Sequence, residues 1–276
     1  MINLLFWNIN RKDLTDEIKT LCDYYDVDVL VLAENKLRDV DIQVKLNKGG
    51  RVFVSPFNPS TRISFFTRYP ERFLELVHDD HWGSIRKLTH PIGIEILLVA
   101  VHMPSKLHCS DQDQALIAIR IAEEIHKREL EQGHTRTIVM GDFNMNPFEA
   151  GLVSADGFHA IMDRNITSKG HRVVFGKEKK FFYNPMWSRL GDASEGSSGT
   201  YYYDSSKMTN YFWNTFDQAL IRPSLLSCFD NNNLKVIDKI GDVSLLKNGK
   251  ISKQFSDHLP LLVTLKVSQL NLENVS

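Results

Sequence analysis

The stretch VMGDFNMNP, residues 139–147, runs from apolar Val139 and Met140 through a glycine into Asp142, then Asn144, and stops at Pro147. It ends a longer apolar run, RTIVMGDF (136–143), that reads as a buried strand. Polar side chains are costly in such a place unless something holds them. A carboxylate and a carboxamide at a strand end therefore need a partner, and the rest of the chain supplies candidates.

Six further runs read as buried strands: INLLFWNI (2–9), VDVLVLAE (27–34), RISFFTR (62–68), IEILLVAVH (94–102), FDQALI (216–221) and LPLLVTLKV (259–267). Helical periodicity falls between some of them. Ile18, Leu21, Cys22 and Tyr25 recur at i, i+3, i+4, i+7, and Ser110 with Asp113 makes a capping box ahead of an amphipathic segment, 111–132. Strands joined partly by helices and partly by turns predict a mixed α/β sandwich in a single domain over 1–276, with no repeat or linker. The one shift in composition is at 175–216, which holds 12 of the 28 aromatics beside GDASEGSSG (191–199). We read an aromatic-rich loop insertion there, at about 169–215.

At 276 residues and 42% hydrophobic content the chain can bury a sizeable core. Thirty-three basic residues against 34 acidic ones leave a formal charge of -1, so no overall basic field marks a general nucleic-acid binder, and any polyanion must meet a local patch. Cys22, Cys109 and Cys228 are too few and scattered for a disulfide framework or zinc ribbon and read as packing residues. The apolar start is too short for a signal-peptide core and no run of about 18 apolar residues occurs, which gives the expectation of a soluble cytoplasmic protein without membrane contact.

Polar residues mark the ends of the strands: Asn8 and Asn10, Glu34, His102, Asp142 and Asn144, Asp217, and Asp257 with His258. We place them at C-terminal strand ends, where open α/β sheets put their ligands. Singly, such a carboxylate also suits a helix cap, and such a histidine a satisfied core group. As a set, FWNIN (6–10), GDFN (141–144) and SDHLP (256–260) resemble the endonuclease/exonuclease/phosphatase superfamily, over nearly the whole chain. The fold implied is that of deoxyribonuclease I and exonuclease III, a four-layer α/β/β/α sandwich.

What the resemblance implies agrees with chemical need. A phosphodiester repels an attacking anion, so its hydrolysis requires an aligned water, neutralised phosphoryl oxygens and a stabilised leaving oxygen. Hard oxygen ligands suit Mg²⁺, with Mn²⁺ an alternative. Glu34 is then the first metal ligand, with Asn8 and Asp257 beside it. Asp142 activates water, Asn144 holds its geometry or a phosphate oxygen, and His258 is a protonated donor backed by Asp217. His102, in VAVHMPS (99–105), stands where abasic-site endonucleases have tyrosine; it resembles the two-histidine site of deoxyribonuclease I and serves as general acid. Asn10 stands where relatives have aspartate, which leaves the metal site one charge poorer.

KGHRVVFGKEKKFFYNPMW (169–187) interleaves basic and aromatic residues as nucleic-acid binding does. Arg172, Lys179, Lys180, Tyr183 and Trp187, with Asn10 and Trp213, are therefore expected to contact substrate. Exposed lysines and pinned aromatics are the competing account of the loop. Tyr201 and Tyr203 are expected on one face of a hairpin and Tyr202 on the other, and HDDHWG (78–83) reads as a polar turn rather than a metal site. The function expected is a metal-dependent nuclease, acting on DNA ahead of RNA, with no protein partner inferable. A phosphatase or phospholipase C-type hydrolase is the alternative, and a silent binding protein the third reading.

Overall fold

The computed structural model of the protein describes residues 1–270. Strand β1 (Ile2–Asn8) buries both of its faces, which is why its sequence is continuously apolar rather than alternating. Ile2, Leu4 and Phe6 point one way, and meet Val29, Val31 and Ala33 of β2 (Val29–Ala33) together with Ile96, Leu98 and Ala100 of β6 (Glu95–His102). Leu5 and Trp7 point the other way, with Leu30 and Leu32, onto Ile18, Leu21 and Cys22 of α1 (Thr15–Tyr24) and Ile42 and Leu46 of α2 (Asp39–Leu46). In the second sheet Leu97, Val99, Val101 and Val139 cover Ala118, Ile121 and Ile125 of α3 (Asp111–Gln132). The layer order is thus helix, sheet, sheet, helix, the four-layer sandwich expected from the sequence.

The first sheet has the order Leu234–Val236, Leu261–Leu265, β1, β2, then β3 (Ile63–Thr67). The second runs β4 (Leu74–Asp79), β5 (Gly83–Thr89), β6, β7 (Thr137–Asp142), Asp217–Ile221, Phe182–Tyr183, Ala160–Ile161. Each sheet contains one central parallel pair. β1 and β2 end together, with Asn8 opposite Ala33, and β6 and β7 end together, with His102 opposite Asp142.

The expected strand-end rule needs one correction. Asp217 begins its strand and Asp257 with His258 precede theirs, so neither lies at a C-terminal end. Both strands are antiparallel to their neighbours, Asp217 facing Asp142 and Leu261 facing Phe6, and their starts therefore reach the same rim. Helix α3 opens with the anticipated Ser110–Asp113 capping box and closes on Gly133 at φ 69, a left-handed cap that glycine adopts without strain. Helix α2 and strands β4 and β5 went unseen in the sequence. Among the described residues no helix is long and apolar enough to cross a membrane.

Candidate active site

Glycine precedes Asp142 for a steric reason. Gly141 has φ 150, and a Cβ there would stand 2.0 Å from the Val101 carbonyl oxygen of β6. Its absence lets β6 and β7 approach closely where His102 and Asp142 emerge side by side. Asp142 is then fixed on both oxygens: Oδ1 accepts from the Asn144 N–H at 2.8 Å, and Oδ2 accepts from Asn8 Nδ2 at 3.0 Å and Asn144 Nδ2 at 3.1 Å. Asn144, held at φ 49, also donates from Nδ2 to the Met103 carbonyl at 2.9 Å. The polar strand end in the GDFN motif is therefore a fully partnered mount.

Glu34 lies across from it on the other sheet, at φ 52, with its carboxylate turned into the cleft. Oε1 is 3.5 Å from His102 Nε2 and accepts from Asn8 Nδ2 at 3.4 Å, while Oε2 is 3.3 Å from Arg11 Nε. The hydrogen bond from His102 outweighs the effect of burial and, with Asn8 and Arg11, holds the Glu34 carboxyl down to about 2. It is anionic at any ordinary pH.

His258 sits at the base of the cleft, with Nδ1 2.9 and 3.1 Å from the two oxygens of the wholly buried Asp217 and Nε2 3.8 Å from Asp142. Burial of the ring opposes its charge, but Asp217 and Asp142 outweigh that and push His258 up to about 10. The pair is an imidazolium against a carboxylate. Trp7 Nε1 donates to the His258 carbonyl at 2.9 Å, and the Tyr201 ring lies 4.6 Å from the imidazole.

These groups surround one cleft of about 810 Å³, lined by Arg11, Glu34, Arg62, His102, Asp142, Asn144, Tyr201, Asp257 and His258 among others. Of the expected catalytic and metal residues, Glu34, His102, Asp142, Asn144, Asp257 and His258 meet there, and Asp217 supports from behind. Asn8 departs from its expected place among the metal ligands: its Oδ1 accepts from the Asn10 N–H at 3.0 Å, and it offers nitrogen, not oxygen, to the two carboxylates. Its part is to tie Glu34 to Asp142. Asn10, at φ 45, is a turn residue outside the lining, and the cleft receives Arg11 in its stead.

The residues fit a hard divalent cation. Glu34 and Asp257 both bring carboxylates to the cleft, and Glu34 stays ionised there, as a ligand to such a cation must. The one tight grouping of metal-type side chains among the described residues is instead Asp142, Asp217 and His258. We favour Glu34, because His258 Nδ1 is spent on Asp217 and the charged imidazolium repels a cation.

The 169–187 segment does not reach this cleft. Arg172 donates to His159 Nε2 at 2.8 Å, Lys179 pairs with Asp156, and Lys180 approaches Glu129 at 4.0 Å. Glu129 lies fifteen residues beyond Gln114 on α3, about 22 Å along the helix, and Gln114 is the one that touches the site, donating to the Asn144 carbonyl at 3.1 Å. Tyr183 is buried with its hydroxyl on Asn231, Trp187 packs beside Phe148 at 6.4 Å, and Trp213 packs partly against the α1 side of the core. None of the five residues expected from this segment to touch substrate lines the cleft, nor does Trp213. The 199–213 hairpin behaves as read: Tyr201 and Tyr203 stack 6.4 Å apart, and Tyr202 packs edge-on against Trp213.

Sequence reasoning missed Arg62, Trp82 and Cys109, all of which line the cleft. Cys109 had been assigned to packing; Cys22 and Cys228 are buried and do pack, and all three thiols are free. HDDHWG forms the polar turn expected, with Asp80 Oδ1 accepting from the Trp82 and Gly83 N–H groups, and carries His81 and Trp82 to Arg62.

The model of the endonuclease/exonuclease/phosphatase family matches residues 5–258. No curated protein matches the chain in sequence. Among solved structures, the TDP2 of D. rerio complexed with a single-strand DNA product shares 17% identity at a TM-score of 0.51, with 95% of this chain and 98% of that one covered. The 3′ phosphatase NExo from Neisseria, bound to a product DNA hairpin, gives 14% and 0.57, with 96% and 99% covered. An AP endonuclease from Archaeoglobus fulgidus gives 13% and 0.56 over the same shares. The chain belongs to the endonuclease/exonuclease/phosphatase family, whose members are phosphoric diester hydrolases.

Proposed function

We propose that the protein is a divalent-metal-dependent phosphodiesterase that acts as a nuclease, on DNA ahead of RNA, by in-line attack of water on a backbone phosphate. The observation that supports it most is the convergence of Glu34, His102, Asp142, Asn144 and His258, drawn from strands of both sheets, on one cleft. The DNA products held by the D. rerio and Neisseria structures belong to those proteins, and they support DNA as the first substrate to try here.

Asp142, pinned by Asn8 and Asn144, has its carboxylate aimed without rotational freedom and takes a proton from the attacking water. His258 presents a charged Nε2–H to a phosphoryl oxygen, with Asp217 fixing its ring. A metal ion held by Glu34 and Asp257 supplies charge neutralisation for the phosphoryl group when bound. As the bond from phosphorus to the departing oxygen breaks, that oxygen takes the proton from His102 Nε2.

Incubation of the protein with plasmid and with single-stranded oligonucleotides, in Mg²⁺ or EDTA, tests the proposal. Nicking or shortening that depends on the metal is expected. Absence of cleavage at high enzyme concentration would overturn it, and release of inorganic phosphate alone would replace it with a phosphatase.

A further inference from the structure

The cleft wall beyond His102 carries a cation that forms no ion pair among the described residues. Arg62 is half-buried at the start of β3, and among the described residues no carboxylate pairs with its guanidinium. Two other buried arginines are held by acceptors of their own. Arg222 meets Glu129 at 2.8 Å, and Arg86 donates to the Phe57 carbonyl at 2.9 Å and to Asn58 at 3.0 Å. Arg62 has neither; its contacts are His81 Nε2 at 3.0 Å, His102 Nδ1 at 3.5 Å and the face of the Trp82 ring at 4.7 Å.

Stacking uses the face of the guanidinium and leaves its rim, where five N–H donors lie in the plane. Two are engaged by the histidines. The others remain for a ligand entering the cleft, and a planar fork of donors matches the oxygens of a phosphate. Burial lowers the Arg62 pKa, an effect that Glu34 and Asp142 oppose from a distance, so the group gains from an anion that replaces lost water.

Position separates this group from the point of attack. Glu34 faces Nε2 of His102, whereas Arg62 faces Nδ1 on the other side of the ring. One imidazole therefore stands between the guanidinium and the carboxylate oxygens. On the nuclease reading above, we propose that Arg62, held by Trp82 and His81, is the receptor for the phosphate that adjoins the scissile one on the bound strand. It selects polynucleotides over substrates with a single phosphate.

The test reads binding by the full chain in EDTA, without turnover. Single-stranded oligonucleotides are compared in which one linkage, stepped along the strand, is a neutral methylphosphonate. At one position the neutral linkage should weaken wild-type binding about tenfold, and Arg62→Ala should lose about the same on the all-phosphate strand. Combining the two should cost nothing more, and the salt slope should fall by about one. Losses that multiply at every position overturn the receptor. A second arm needs no nucleotide: wild type should bind inorganic pyrophosphate more tightly than inorganic phosphate, with Arg62→Ala abolishing the preference and Arg62→Lys recovering part of it. Equal affinity in the wild type, or a preference that survives Arg62→Ala, also overturns it. Failure of the wild type to cleave DNA with Mg²⁺ defeats the nuclease reading alone, and the pyrophosphate arm still decides the role of Arg62.

Discussion

His258 is backed by a carboxylate, Asp217 at 2.9 Å, whereas His102 is backed by a guanidinium, Arg62 at 3.5 Å. Arg62 presents N–H donors to the Nδ1 side of His102, and Glu34 presents a carboxylate oxygen to its Nε2 side. A carboxylate can only accept, so His258 Nδ1 donates to Asp217, and the ring carries charge as well. Two imidazoles within one cleft are thus given different surroundings by what stands behind them, His258 fixed by a carboxylate on Nδ1 and His102 set between a guanidinium on Nδ1 and Glu34 on Nε2. The lesson is that the type of a side chain near a phosphate does not fix its role; the partner on its far nitrogen does.

The sharpest way to break this contrast is to remove the charged partner. His258→Gln should lower kcat about a thousandfold without altering the circular dichroism spectrum. Asp217→Asn should cost nearly as much, because the ring loses both its orientation and its charge. His102→Gln should cost less, about a hundredfold on an ordinary alcohol leaving group. The deficit should shrink on a nitrophenyl ester, whose leaving oxygen needs no proton; an equal deficit on both would exclude His102 as the acid.

Geometry between the walls can be broken as well. Gly141→Ala places a methyl against the Val101 carbonyl and should destabilise the protein by about 3 kcal/mol or more, read as a lower midpoint in urea. A subtler effect follows from pH. His258 is held at about 10, above the ordinary value near 6.5, so the stability it brings is complete below pH 6.5 and is lost as pH rises through 10. The gap in unfolding free energy between wild type and Asp217→Asn should therefore be largest near pH 6 and narrow toward pH 10. The smallest effect expected is that of Lys179→Ala with Lys180→Ala, which should change cleavage rates less than twofold, since Lys179 is engaged by Asp156 and Lys180 lies by Glu129 toward the far end of α3.

Much of the fold was legible because its central strands are buried on both faces, so INLLFWN and EILLVAVH stand out as apolar runs. β4 and β5 were not, because LELVHD and GSIRKLT mix charged residues among the apolar ones: β4 is a partly exposed edge strand, and β5, inside the sheet, buries Arg86. Most of the polar residues that meet in the cleft were legible as breaks in apolar runs. Arg62 was not: an arginine at a strand start looks like any solvated one, and its setting is made by Trp82, twenty residues on, closing over it. The 169–187 segment misled because its place in the sequence, between the GDFN motif and Asp217, says nothing of which end of the sheet it leaves from. Tyr183 pairs with Ile221, the end of that strand remote from Asp217, and the lysine hairpin lies further out still.

The pairing of β1 with Leu261–Leu265, and the bond from Trp7 to the His258 carbonyl, tie the opening residues of the chain to some of its latest ones. While a ribosome is still making it, the nascent polypeptide holds Asn8, Glu34 and Asp142 but lacks the imidazolium they work with. The cleft therefore gains its second imidazole only when the segment around residue 258 has been zipped onto the first strand.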